Sequence, residues 1–475
     1  MLSKATPDAG GSAGAGLSRR DLLAASAAAF GATAPLVVPR HVLGAGQQAP
    51  SDTLRIAAVG IAGMGQAYLA GCKGERVVAL CDLDHNAAAR VFAAYPAATR
   101  YRDFRTMLDK EAKAFDALIV ATPDHTHAVI LMSAIQLKKH IYCAKPLTHS
   151  VGEARKVREA LVNAKELVTM SSVQSCASDP ARRTTELVTS GAIGRVRELH
   201  VWCSHPAYPC SLVRPKETPA PPPGMDWDLW IGPAPYRPYH PVYHPANWRP
   251  WWDFGSGTVG DMGCHTLHVY FKELGLGAPS LVYGCGSTRH EGFFKQVSTP
   301  ECQSHANLVT WEFPARGQRP PLSVHWYDGG MKPHRPVELD HSLGMPHDGL
   351  LFVGEKGNLL AGYSGGNPFR RGGRTRGPSG GMLLPEEKFR DFPDPPPTLP
   401  RVENHYRDWT QACKSGSRTS CPIEFGCEMT EMALLGALAL RTGRVLEWDA
   451  QAMRVTNNDQ ASAYVNPPYR QGWSL

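Results

Sequence analysis

Residues 54–65 read Leu54-Arg55-Ile56-Ala57-Ala58-Val59-Gly60-Ile61-Ala62-Gly63-Met64-Gly65, an apolar run that opens into a glycine-rich turn. Leu54 to Val59 is a short apolar run, as a parallel strand buried on both faces requires. Gly60 allows a tight turn after it. A small residue at 62 lets the backbone approach a diphosphate, and Gly65 lets the following helix pack close to the strand. The first turn of that helix, from Met64, offers unpaired N–H groups and a positive dipole end to phosphate. Ala62 stands where the usual spacing has its second glycine, and Gly63 beside it relieves crowding. Val77 to Cys81 reads as the second strand, and Asp82 ends it. A carboxylate there holds a ribose 2′-hydroxyl and repels a 2′-phosphate, which favours NAD over NADP.

Outward from this stretch, residues 51–172 alternate apolar strands with amphipathic helices, the pattern of a Rossmann-type doubly wound parallel sheet. Ala114 to Ala121, His140 to Cys143 and Leu167 to Ser172 read as strands, and His125 to Leu137 and Glu153 to Ala164 as helices. After 172 the pattern changes. Thr184 to Thr189 ends a helix, and Arg195 to Cys203 alternates like a half-buried antiparallel strand. Residues 205–250 form a long ordered loop rich in Pro, Trp and Tyr, and further strands fall near 280–290, 305–313 and 320–327. Residues 361–400 read as a surface excursion, and Glu403 to Cys413 and Glu424 to Thr442 as helices. The fold class is thus α/β: a Rossmann domain at 51–172, then an α+β domain at 173–475 with an open, mostly antiparallel sheet.

An address label precedes the fold. Ser18-Arg19-Arg20-Asp21-Leu22-Leu23 is a twin-arginine signature, followed by an Ala-rich apolar stretch to Val38 that Pro35 interrupts. It reads as a Tat export signal, too broken to span a membrane, so residues 1–50 are set aside as leader and linker. The expected location is the periplasm or another extracytoplasmic compartment. That route carries folded proteins, so a cofactor loaded in the cytoplasm travels inside. Free NAD is scarce beyond the cytoplasm, and a tightly held, recycled NAD is the expectation.

The chain has 475 residues, 43% hydrophobic and 20% charged, with a formal net charge of +7. Removing the leader's four cations and two anions leaves about +5. That is too mild to argue for nucleic acid. The cluster Arg370, Arg371, Arg374 and Arg376 lies in a Gly-rich stretch and reads as a solvated loop. The twelve cysteines include no C-x-x-C pair and no zinc spacing, and they read mostly as buried free thiols, with Cys203–Cys210 one conceivable pairing. His265 and His268 lack a third ligand in the sequence, so no metal is expected.

Three segments carry chemistry. Ala121-Thr122-Pro123-Asp124-His125-Thr126-His127 turns from a strand end into a helix, where such a sheet has its ligand crevice. Thr122, Pro123, His125 and His127 join the cofactor pocket on this reading. Cys143-Ala144-Lys145-Pro146-Leu147 is a strand end on the same side, aiming Lys145 into the crevice. In Gly255-Ser256-Gly257-Thr258-Val259-Gly260-Asp261-Met262-Gly263-Cys264-His265, Asp261 and His265 are four apart and share a helical face, with Asp261 also suited to cap that helix. An Asp and a His near a Lys supply what alcohol oxidation needs: one group takes the hydroxyl proton, another steadies the oxyanion.

These motifs, with Trp227-Asp228-Leu229-Trp230-Ile231-Gly232-Pro233-Ala234-Pro235, resemble the Gfo/Idh/MocA oxidoreductase family from about residue 53 to the C-terminus, and most of all its Tat-exported branch. The resemblance implies a nicotinamide cofactor, a sugar, cyclitol or related substrate, and an open sheet that mediates oligomers. It assigns the catalytic lysine to Lys145 and the D-x-x-x-H pair to Asp261 and His265. The family's Glu before that lysine is Ala144 here, which leaves the Lys145 charge less compensated.

Trp248, Trp251, Trp252 and Tyr243, with Arg249 and Asn247, suit a carbohydrate, because aromatic faces stack on sugar C–H surfaces. Trp248, Arg249 and Trp252 are the expected substrate contacts, beside Asp261 and His265. The same aromatics suit a loop packed on itself. The expected activity is oxidation of a sugar, polyol or glycoside hydroxyl by a homo-oligomer, a dimer or tetramer. The alternatives are a glycoside-cleaving enzyme that oxidises, eliminates and re-reduces, and a non-catalytic sugar-binding relative.

Overall fold

The computed structural model describes residues 52–369 and 378–475, and no side chain is described at positions 268, 269 and 272. The twin-arginine leader and the cluster Arg370, Arg371, Arg374 and Arg376 lie outside the described residues. The first sheet contains β1 (Arg55–Val59), β2 (Arg76–Cys81), β3 (Thr99–Tyr101), β4 (Ala117–Val120), β5 (His140–Cys143) and β6 (Thr169–Ser171) in the order β3-β2-β1-β4-β5-β6. Every neighbouring pair is parallel. Ile56, Ala58 and Ile119 enter the core on one face, and Ala57, Val59, Leu118 and Val120 the core on the other. Helices cover both faces, so the strands are unbroken apolar runs rather than alternating ones. The edge strand β3, Thr-Arg-Tyr with Thr99 and Arg100 exposed, carries no such run and was not legible as a strand.

The strand order reverses between β1 and β4, which opens a crevice at their carboxyl ends. Two glycines shape it. Gly60 has φ +78°, and a Cβ there would lie 2.7 Å from the Ala121 backbone. A Cβ on Gly65 would press into the Gly60 carbonyl oxygen, so the helix Met64–Gly71 reaches the strand only without one.

The second sheet starts with β7 (Val196–Trp202). Then follow β8 (Leu281–Gly286), a small hairpin of β9 (Arg289–His290) and β10 (Gln296–Val297), β11 (Asn307–Phe313), β12 (Leu322–Tyr327), β13 (Gly349–Gly354), β14 (Asn358–Gly362), β15 (Met382–Leu384), β16 (Leu446–Asp449) and β17 (Arg454–Val455). Apart from the hairpin these form nine strands in the order β15-β14-β13-β7-β12-β11-β8-β16-β17. The β7–β12 pair is parallel and the other neighbours are antiparallel. Within 361–400 the expected excursion is corrected: Met382 to Leu384 are buried and pair with β14. The apolar residues there are too few to mark a strand without β14 beside them.

One face of this sheet packs on the helices Gly263–Glu273 and Ile423–Thr442 through Val324, Trp326, Val309 and Trp311. The other face buries a second apolar cluster of Trp202, Leu351, Leu360, Met382 and Leu384, and turns polar and half-buried elsewhere on β7 and β12. There Glu198, His200 and His325 bring potential ligand atoms within 4.8 Å of one another, and the two imidazoles stack 4.7 Å apart. Only the β7–β12 register unites them, so spacing along the chain gave no sign of the group. Ile423 and Cys427, at the start of the long C-terminal helix, pack into the core of the first sheet, while Met429 and Met432 pack into that of the second. All twelve cysteines are free thiols, Cys203 and Cys210 included. Among the described residues no helix is long and apolar enough to cross a membrane.

Candidate active site

A cavity of about 500 Å³ occupies the crevice. The glycine turn (Gly60, Ala62, Gly63, Met64), Asp82 after β2, Thr122 and Pro123 after β4, and Ala144 and Lys145 after β5 form its Rossmann wall. Trp248, Arg249 and Asp261 close the opposite side. Gly65 lies behind the turn rather than on the wall, so its contribution is to helix packing.

Lys145 Nζ donates to the Asp261 carbonyl oxygen at 2.6 Å and makes an ion pair with Asp261 Oδ1. The Arg249 guanidinium lies 3.6 Å from the other carboxylate oxygen. Burial opposes ionisation of Asp261, but the Lys145 and Arg249 charges outweigh it and hold the carboxyl below its usual range. The compensation expected from a Glu at position 144 comes instead from Asp261. The helix breaks at Met262, between Gly257–Asp261 and Gly263–Glu273, so Asp261 and His265 share no continuous helical face. Asp261 also ends its helix rather than capping the start, where Ser256 sits. His265 is not among the residues lining the cavity. Its ring still feels the Lys145 and Asp261 charges, and burial, reinforced by Lys145, lowers its pKa to about 3, leaving a neutral imidazole.

The two histidines expected in the cofactor pocket do not line it. Both are fully enclosed and serve as braces. The His125 ring nitrogens lie 3.2 Å from the Phe254 carbonyl oxygen and 2.9 Å from that of Trp230, tying the helix Asp124–Gln136 to the aromatic loop. The His127 nitrogens reach the Pro146 and Thr122 carbonyl oxygens at 2.8 and 2.7 Å, which joins the strand ends carrying Lys145 and Thr122. Burial lowers their pKa values to about 3 and about 4, although the carbonyls pull the other way, so one N–H per ring donates. Their positions after β4 suggested the pocket; only the packing of the loops against them shows otherwise.

Asp124 was not singled out by sequence reasoning, yet it is on the wall. Its Oδ2 accepts from Ser256 N at 3.2 Å and from Ser256 Oγ at 2.8 Å. Burial pushes its pKa up to about 7, Ser256 lowers it and the nearby Asp261 charge raises it. An Asp in the first turn of a helix gives no sequence signal for a partner 132 residues away. Asp82 Oδ2 accepts from the N–H groups of Ile61 at 2.9 Å and Ala62 at 3.0 Å, and Oδ1 from Asp84 N at 3.0 Å. The carboxylate thus holds the turn and faces the cavity together.

The aromatic loop divides. Trp248 and Arg249 line the cavity, with the guanidinium 4.5 Å from the Trp248 ring centroid. Trp252 is corrected: it packs in the core beneath the second sheet and has no place on the wall. Tyr243 and Trp251 pack with Trp227, Trp230 and Phe254 in a separate aromatic cluster.

The residues present fit a dinucleotide. Thr122 Oγ1 is buried on the wall without a hydrogen-bond partner, no atom lies within 4 Å of a Cβ built on Gly63, and no side chain caps the helix Met64–Gly71. Fold and cavity together define a dinucleotide-binding oxidoreductase architecture. The chain belongs to the Gfo/Idh/MocA family. Residues 54–172 match the model for the oxidoreductase family's NAD-binding Rossmann fold, and residues 211–275 and 384–475 that for its C-terminal alpha/beta domain. Inositol 2-dehydrogenase from Rubrobacter xylanophilus is 32% identical over 150 residues, 30% of this chain and 42% of that protein. The chain spans under half the length of such curated relatives. Aldose-aldose oxidoreductase from Caulobacter crescentus, complexed with glycerol, superposes with a TM-score of 0.53 at 17% identity, covering 83% of this chain and 100% of that one. The WlbA dehydrogenase from Bordetella pertussis, in complex with NADH and UDP-GlcNAcA, gives 0.53 at 15%, covering 84% and 99%. Likeness at these identities shows the fold.

Proposed function

We propose that the protein is an NAD-dependent dehydrogenase of a sugar, polyol or glycoside hydroxyl. The Lys145–Asp261 pair on the wall of the dinucleotide cavity carries this reading. The cofactor, when bound, supplies the acceptor for hydride. Lys145, once it has given its own proton to solvent, takes the hydroxyl proton as the C–H bond gives up its hydride, and the restored ammonium is balanced again by Asp261. Arg249 holds Asp261 from the other side, and its contact with the Trp248 ring presents one flat and one charged surface to a polyhydroxylated ligand. His265, neutral and close to the pair, contributes to its electrostatics. Asp82 favours NAD, since a 2′-phosphate would meet its charge. The inositol dehydrogenase similarity supports a cyclitol or sugar as substrate.

The twin-arginine leader adds export in the folded state, a retained NAD recycled within each catalytic cycle, and an extracytoplasmic location. The open-sheet architecture of the second domain supports a homo-oligomer. Denaturing the purified protein and identifying the released dinucleotide tests the reading, followed by single-turnover reduction of NAD with myo-inositol and a panel of aldoses and glycosides. Near-stoichiometric NAD and reduction by one of these is the expected result. A protein that neither carries nor takes up NAD refutes it.

A further inference from the structure

We infer that residues 466–475 clamp the base end of the cavity and that Trp473 is the surface on which the nucleotide base stacks. The inference rests on the NAD reading above. The two ends of the cavity are chemically distinct. Lys145 and Asp261 mark the reacting end. Asp82, placed for the ribose hydroxyls, marks the other, and the residues beyond it follow β3, which pairs with β2 through Cys81 and Tyr101. There Phe104 and Trp473 both line the cavity, with ring centroids 6.2 Å apart. The Arg105 guanidinium lies 4.7 Å from the indole centroid and steadies it.

The segment contains no helix or strand, so side-chain and backbone contacts to the rest of the molecule must hold it. It is tied at both halves of the molecule. Toward the first sheet, Tyr469 Oη donates to Glu153 Oε1 at 2.5 Å, and Trp473 and Leu475 pack against the apolar core. Toward the aromatic loop, Arg470 N donates to the Pro233 carbonyl oxygen at 3.0 Å, Arg470 Nε to that of Gly232 at 3.0 Å, and the guanidinium forms an ion pair with Asp228. Trp473 N then donates to the Arg470 carbonyl oxygen at 3.1 Å, so the anchor positions the indole directly. A flat aromatic face beside the ribose site suits a heteroaromatic base of any identity. Stacking on Trp473 holds the base to the segment 466–475, so the clamp governs the rate of cofactor release more than the chemistry.

The test compares the whole protein with Trp473→Ala, Trp473→Phe and Arg470→Ala. NAD release is followed by displacement with excess etheno-NAD, and turnover is measured at saturating NAD. Trp473→Ala should release NAD about 10- to 100-fold faster, in line with base–aromatic stacking. Trp473→Phe should restore most of the retention, and Arg470→Ala, which leaves the indole in place, should speed release as well. Arg470→Ala keeps the proposal testable if Trp473→Ala fails to fold. Release from Trp473→Ala and Arg470→Ala at the parent rate overturns the clamp alone. A parent protein that binds no NAD overturns the functional reading itself and the clamp with it.

Discussion

Replacing Lys145 with Met keeps the length of the side chain and removes its charge. Lys145 and Asp261 are 15% and 14% exposed at their side chains, so the pair is nearly buried. Removing one partner of a fully buried pair costs about 3–5 kcal/mol. Here Arg249 remains 3.6 Å from the carboxylate and a solvent edge persists, which brings the expected loss to about 2 kcal/mol. The pH dependence follows. Burial opposes the Asp261 charge and the two cations overcome it, so the folded pKa lies below the unfolded value. That stability is present above pH about 4 and is lost as pH falls through the folded value. Without Lys145 the folded pKa rises, and the acid unfolding midpoint should move to higher pH. Turnover should fall about 10²- to 10⁴-fold, while NAD binding should persist. Urea unfolding at pH 7 and pH 4.5, NAD content, and appearance of reduced nicotinamide with the active polyol measure all three. Turnover within about tenfold of the parent, with unchanged stability, would refute the role assigned to the pair.

Thr122→Val should leave stability within about 1 kcal/mol, because the hydroxyl has no partner, yet weaken NAD binding about 5- to 10-fold; equal affinity by calorimetry would show that the hydroxyl does not face the cofactor. Asp82→Asn should shift the NADP-to-NAD affinity ratio at least about tenfold toward NADP, as the carboxylate no longer repels the 2′-phosphate, and fluorescence titration with both dinucleotides reads this. His127, with a folded pKa near 4 against about 6.5 unfolded, binds its proton preferentially in the unfolded chain. Its contribution is therefore complete above pH 6.5 and falls by about 2 kcal/mol at pH 5; a His127→Asn variant should lose less stability between pH 7 and pH 5 than the parent.

Local patterns were legible where one physical requirement dominates a short stretch. The apolar run at β1, the glycines at 60 and 65, the strand His140–Cys143 and the helix ending at Thr442 all appear where the chain alone places them. Edge strand β3 and strands β13 to β15 were missed, since short strands in Gly- and Pro-rich surroundings owe their formation to partners distant in the chain. Residues of one type also differ in role. Trp248 faces the cavity while Trp252 fills a core, and nothing in their own stretch distinguishes them.

What the sequence alone determined is the nucleotide-binding turn, the carboxylate after β2 and the lysine at a strand end, because each depends on neighbours within a few residues. Only the tertiary structure decided which groups meet. It brought Asp261 to Lys145 across 116 residues, paired Asp124 with Ser256, withdrew His125 and His127 from the pocket, and laid Trp473 beside Phe104. The physical reason is that charge compensation, buried hydrogen bonds and aromatic packing are satisfied between surfaces, and those surfaces exist only after the two sheets and their long loop have closed on one another.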